Sequence, residues 1–317
     1  MRKKVLTSIV LGLACICAQS QEYEGTLWSL PFLSQPSDAV SLSLGACSLT
    51  GGSNAYAAFN NPAAAVFSEG VFDLAASAGI FQPGKSGAEQ NLSLGVSGFV
   101  SERISTGIAL QSAVGSQYPV CDGNGYVSSY FTPGQLRLGV SAAWKVFSFL
   151  SLGASGSFYS QDLSAQNALR GFALNASVHL HTSLIDADIA ARNLFAGLGS
   201  KYPVPSEAVA GISKRLVFSD FSVKTMAEAS YFIESSDIRT GIGIEAGWKD
   251  FARLRIGGNY GASSPLADFL SAGLGLGFRG VSADLAYVLS KAPFGNSFLI
   301  TISYKLDKKW KSSKEEQ

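Results

Sequence analysis

The chain has 317 residues, of which only 15% are charged, with a net charge of +1, 34 glycines and a mean hydropathy of +0.21. A soluble domain carries about 25% charged residues, so much of this surface is built for something other than water. The near-zero net charge excludes a polyanion-binding role, nucleic acid included.

The first twenty residues read as a secretory signal. Arg2, Lys3 and Lys4 form a basic start, Val5–Ala18 an apolar stretch, and Ala18–Ser20 a small-residue cleavage site near Ser20. The apolar stretch falls short of the ~20 residues a membrane helix needs, and no later run reaches that length. Cys47 and Cys121 remain after this segment, and their separation does not say whether they are bridged.

From about residue 72 the pattern is period two, repeated. In 270–279, Leu270, Ala272, Leu274, Leu276 and Phe278 share one face, while Ser271, Gly273, Gly275, Gly277 and Arg279 share the other. Segments of this kind fall at about 72–81, 91–101, 104–116, 135–146, 148–160, 168–181, 184–195, 207–217, 219–233, 237–248, 250–261, 268–279, 281–290 and 295–305, fourteen in all. Each is roughly as long as the ~9–11 residues of a tilted membrane strand. Short turns near 102, 147, 182, 218, 249 and 280 alternate with mostly longer connections, the longest at 117–134. Outer-membrane barrels alternate in this way, with short turns on the periplasmic side and longer loops outside.

A soluble sandwich would also alternate. Its solvent face, however, would be rich in Lys, Glu and Thr, whereas the second face here holds Gly, Ser and Ala with scattered charges. Aromatic residues gather at strand ends: Trp144 and Trp248 before short turns, Tyr231, Phe232 and Tyr260 before the others. That is the distribution of two interfacial girdles. The expected fold is all-β: an antiparallel transmembrane barrel of about fourteen strands, spanning 72–305, in contact with outer-membrane lipid.

Residues 21–71 do not alternate. Fourteen strands enclose more space than their own side chains fill, since about eight already give a packed interior. A segment rich in Ala, Ser, Gly and Pro can lie close against a Gly/Ser-lined wall, so 21–71 is expected to be a plug within the lumen. The charged stretch 306–317 reads as a periplasmic tail.

The segments "PFLSQPSDAVSLSLGACS" and "NAYAAFNNPA" resemble the N-terminal region of the PorV/PorQ group of outer-membrane barrels and, more distantly, FadL-type transporters. The matching positions are Asp38, Ala39, Gly45, Ala46, Asn61, Pro62 and Ala63. Val40 stands where the relatives often have Arg. The PorV/PorQ resemblance implies an interaction platform in type IX-like protein export, with exported cargo or secretion components as partners. The FadL resemblance implies uptake of a hydrophobic small molecule through a plugged lumen.

No nucleophile elbow, phosphate loop, catalytic triad or metal-spaced cysteine cluster is present, so no enzymatic activity, cofactor or metal is expected. Two constellations remain. The two histidines lie in "SVHLHTSLIDAD", and a two-residue turn at Thr182-Ser183 would pair His179 with Asp186 and Ser177 with Asp188 in the lumen. Arg239, Glu245, Arg253, Arg255, Arg279 and Asp284 share the inward parity of adjoining strands. They are expected to pair there, because burying a lone charge is costly.

Overall fold

The computed structural model describes residues 31–52, 54–81, 88–164, 167–198, 202–204, 206–233, 235–261, 268–290 and 296–307. The expected signal segment 1–20 with its cleavage near Ser20, residues 21–30 of the plug and residues 308–317 of the tail lie outside these.

Fourteen antiparallel strands form one closed barrel. In chain order they are β1 (Gly70–Phe81), β2 (Glu89–Ser101), β3 (Ile104–Gly115), β4 (Gly134–Phe147) and β5 (Leu150–Ser164). Next come β6 (Asn167–His181), β7 (Asp186–Leu194), β8 (Glu207–Phe218), β9 (Phe221–Phe232) and β10 (Asp237–Trp248). The last four are β11 (Ala252–Tyr260), β12 (Phe269–Phe278), β13 (Val281–Ser290) and β14 (Ser297–Asp307). Each strand pairs with its neighbours in sequence, and β1 closes on β14 from Gly70 opposite Asp307 to Ile80 opposite Phe298. Closure leaves no sheet edge to template aggregation.

Period two becomes an inside and an outside. Along β12, Phe269, Ser271, Gly273 and Gly275 are buried, while Leu270, Leu274 and Leu276 are exposed outward. Leu285, Ile300 and Ile302 also face outward, and Asp284 and Thr301 face inward. In water such a belt would be an apolar patch far beyond the few hundred Å² that soluble monomers expose. Against hydrocarbon it is the favourable surface. At the short-turn end the belt is rimmed by outward aromatics, among them Trp144, Phe147, Phe218, Phe221, Trp248 and Phe278.

Some local details differ from the expectations. Phe232 turns inward and is buried, because it shares parity with Ser230 and Glu228, while Tyr231 stays on the outer face. The barrel runs two residues further at each end, from 70 to 307. The long connection 117–134 contains a small hairpin, Tyr118–Cys121 against Val127–Phe131. Its turn is closed by Asp122, whose carboxylate accepts from the Asn124 and Tyr126 backbone amides. Both cysteines are free, Cys47 buried and Cys121 exposed.

Residues 31–68 run through the barrel interior. They form a 3₁₀ turn (Pro31–Ser34), α1 (Ala39–Ser43), α2 (Ser48–Gly51), a second 3₁₀ turn (Asn54–Tyr56) and α3 (Pro62–Ala65). The path starts near the long-loop end, where Gln35 bonds Glu89 at the start of β2. It ends at the short-turn end, where Ser68 bonds Asp73.

Candidate functional site: the hatch inside the barrel

The short helices of the hatch are too short to be stable alone. Capping and wall contacts hold them. Asp38 caps α1: its carboxylate accepts from the Ser41 amide at 2.8 Å and the Ser41 hydroxyl at 2.6 Å. Asn60 Nδ2 also donates to Asp38, at 3.1 Å, tying the beginning of the hatch to its end. The Ala39 amide donates to Thr301 Oγ1 at 2.8 Å on β14. From there Ser77 and the Tyr56 hydroxyl continue a chain of hydroxyl contacts across β1. Val40 packs against the cluster of Leu44, Cys47 and Met226.

Gly45 sits where no other residue fits. Its φ is +72°, and a Cβ there would strike the Gly258 and Ile242 backbone carbonyls of the wall. The wall answers with glycines of its own, since a Cβ on Gly257 would collide with the Leu44–Gly45 backbone. The contact is then pinned by polar bonds: the Gly45 amide donates to Ser271 Oγ at 3.2 Å, and Asn259 Nδ2 donates to the Gly45 carbonyl at 3.0 Å.

Asn61, Pro62 and Ala63 form the foot of the hatch. Pro62 occupies the first turn of α3, where a missing amide costs nothing, and it holds Asn61 extended. Asn61 Oδ1 caps the Ala64 amide at 3.3 Å. Its Nδ2 donates to the Leu49 carbonyl at 3.0 Å and to Asp188 of β7 at 2.6 Å. Ala63 is wholly buried; its amide donates to Ser177 Oγ and its carbonyl accepts from Ser151 Oγ at 2.7 Å. The Pro after two Asn is therefore a helix start pressed against the wall, with Gly153 giving it room.

Charged wall residues grip the middle. Glu228 accepts from the Leu49 amide at 2.9 Å, Lys224 donates to the Thr50 carbonyl at 2.9 Å, and Arg192 donates to Ser48 and to the Asn60 carbonyl. The Arg137 guanidinium lies 4.1 Å over the Phe59 ring. Glu228, Lys224, Arg192 and Arg137 have no signature in the local sequence because each meets the hatch from far along the chain, up to 179 residues away for Glu228 and Leu49.

Of the six charges expected to pair, three form one buried cluster. Arg255 reaches Glu245 at 2.7 Å and Asp284 at 2.7 Å and is almost fully enclosed. Arg253 is half-buried near Glu245. Arg239 belongs elsewhere: it sits 3.8 Å from Glu207 and bonds Ser230, nearer the long-loop end. Arg279 leaves the network altogether. It occupies the β12–β13 turn with φ +49°, is exposed, and lies over Phe278, because the turn ends the alternation that gave it inward parity.

The histidine pairing is also shifted. His179 lies opposite Asp188 and His181 opposite Asp186, each bonded at 2.7 Å. The turn has four residues, not two, since the Thr182 hydroxyl caps the Leu184 and Ile185 amides and carries the chain through Ile185. A two-residue lengthening preserves side-chain parity but moves every partner by one pair.

The lumen differs between its two ends. Bulky apolar side chains turned inward, such as Phe81, Tyr159, Phe232, Phe269, Val288 and Leu299, come from the long-loop ends of their strands. Phe81, Phe269, Val288 and Leu299 enclose Leu42 and Ala39 of α1, and Leu33 packs against the cluster of Tyr159. The short-turn half is polar, and a cavity of about 240 Å³ opens there among Asn61, Phe67, His179, His181, Asp186 and Lys224. A smaller polar cavity of about 30 Å³ lies between Arg137, Arg192, Glu207 and Arg239.

No protein-family model and no curated protein matches this chain. Solved structures do. The toluene transporter TbuX of Ralstonia pickettii superimposes with a TM-score of 0.64 at 13% identity, covering 87% of this chain and 100% of TbuX. The toluene transporter TodX of Pseudomonas putida gives 0.65 at 12%, covering 86% and 99%. A FadL homologue of Pseudomonas aeruginosa gives 0.53 at 14%, covering 86% and 98%. Identities this low speak for the fold, which is a FadL-like fourteen-stranded barrel with an N-terminal helical segment. The PorV/PorQ resemblance rests on the hatch motif alone.

Proposed function

We propose that this chain is a non-enzymatic channel of the bacterial outer membrane that admits small hydrophobic molecules past its hatch. The long loops face outward and the short turns face the periplasm, as in other outer-membrane barrels. The observation that carries the reading is the place of the lumen's bulky apolar lining: Phe81, Phe269, Val288 and Leu299 gather around Ala39 and Leu42 at the outer mouth, beside the charged group of Arg137, Arg192, Glu207 and Arg239. An apolar solute gains by leaving water at the outer mouth. Going further requires the hatch to give way, since its helices now fill the path. The shared fold with toluene transporters supports the same reading.

Vesicles carrying the purified barrel test this with labelled toluene and a labelled sugar of similar size. Faster toluene entry than in empty vesicles, with no added sugar entry, is the expected result. Sugar entry matching that of toluene would make the barrel a general pore.

One observation favours an export platform. The outer hairpin 118–131 exposes Tyr118, Tyr126, Val127 and Tyr130 in a patch suited to protein contact. If that role dominates, toluene entry will not exceed the empty-vesicle rate.

A further inference from the structure

The only two histidines of the chain lie side by side at the periplasmic mouth. They stand two residues apart on β6, so both side chains leave the same face of the strand. Their rings are near-parallel, with centroids 6.2 Å apart, and Phe67 of the hatch packs against both. Each ring gives its Nδ1 to a carboxylate of β7 at 2.7 Å, His179 to Asp188 and His181 to Asp186.

A carboxylate on Nδ1 fixes the tautomer. In the neutral ring Nδ1 then carries the proton and Nε2 keeps its lone pair. That is the arrangement in which metal-binding histidines are held, with a carboxylate orienting the ring and raising its basicity. Here Asp188 holds His179 in this way, and the more exposed His181–Asp186 pair exchanges its own hydrogen bond for bonds to the ion. One candidate ligand atom from each of His179, His181 and Asp186 falls within 4.8 Å of the others. That spread is wider than a bound ion leaves. His179 is buried and fixed, but the side chains of His181 and Asp186 are 53% and 29% exposed, so rotation can close the set.

The surroundings suit a cation with open coordination positions. The 240 Å³ cavity has room for water ligands beside three protein ligands. With both rings neutral, Asp186 and Asp188 outweigh the one ammonium in the cavity lining, Lys224, which is engaged with the Thr50 carbonyl. Lys145 lies over the Phe67 ring, 4.4 Å from its centroid.

We propose that the periplasmic vestibule binds one divalent transition-metal cation through His179 Nε2, His181 and Asp186. Two imidazoles and a carboxylate select zinc, cobalt, nickel or copper over calcium or magnesium. Asp188 is a positioning residue: it holds the His179 ring and also accepts from Asn61 of the hatch foot at 2.6 Å. An ion on His179 is therefore linked to the hatch by two hydrogen bonds in series.

Calorimetric titration with zinc chloride alone tests this, on purified protein from which any histidine tag has been removed. The wild-type chain is expected to bind one zinc at sub-millimolar concentration. His181→Ala and Asp186→Asn, both at an exposed rim, are each expected to weaken binding roughly tenfold or more. A heat-modifiability gel establishes that each variant is still a folded barrel. Absence of sub-millimolar binding in the wild-type chain, or a folded variant combining His181→Ala with Asp186→Asn that binds as the wild type does, would overturn the proposal.

Discussion

At the scale of single residues, the wall makes opposite demands on its two faces. Leu274 points outward at the middle of β12 and is 57% exposed. Its replacement by arginine places a charge in hydrocarbon and is expected to cost ~2–4 kcal/mol near the midplane. A urea unfolding titration in lipid vesicles measures this; unchanged stability would mean that Leu274 does not face lipid. Arg255 shows the reverse demand. It is 1% exposed and joins Glu245 to Asp284. Arg255→Leu leaves Asp284 without its cation, while Glu245 keeps the longer contact to Arg215 at 3.6 Å and the nearby charge of Arg253. The expected loss is about 3–5 kcal/mol. The same titration measures it, and Arg255→Leu combined with Asp284→Leu should recover part of the loss. No recovery in the double variant would mean that the pair does not act as a unit.

At the scale of elements, the strands were legible because each carries its own signal. Large apolar side chains on one parity and Gly or Ser on the other mark β1 to β14 without reference to any partner. Turns were less legible, because their length depends on a few hydrogen bonds. The Thr182 hydroxyl decides that the β6–β7 connection has four residues, and this re-pairs His179 with Asp188. Arg279 was misplaced for a related reason: parity holds only while the strand lasts. The hatch was recognised as a non-alternating segment, yet its attachments to Glu228, Lys224 and Arg192 have no local signature. If the hatch occludes the lumen, deletion of 38–66 should leave a barrel that assembles but leaks. Planar-bilayer recordings should then show steady conductance where the intact chain shows almost none. Near-zero conductance in a folded deletion variant would mean that something else closes the lumen.

At the scale of the whole molecule, the barrel is a lipid-facing cylinder with bulky apolar side chains gathered at its outer mouth and a polar inner mouth, crossed by a hatch that has to move for the proposed passage. The hatch can be fastened to test that motion. An ideal Cβ at Gly241 of β10 falls 2.9 Å from Cys47 Sγ. In a disulfide the Cβ of one cysteine lies about 3 Å from the far sulfur. Gly241→Cys should therefore bridge to Cys47, although its Cβ also meets the Gly45 carbonyl at 2.6 Å, so the bridge forms only with a backbone shift there. Cys121→Ser removes the exposed competing thiol. The decisive measurement is labelled toluene entry into vesicles carrying this variant, oxidised and then reduced with dithiothreitol, with the bridge verified by mass spectrometry. If passage requires the hatch to move, entry falls to the empty-vesicle rate when oxidised and returns when reduced. Undiminished entry through a barrel whose bridge is verified would contradict that requirement.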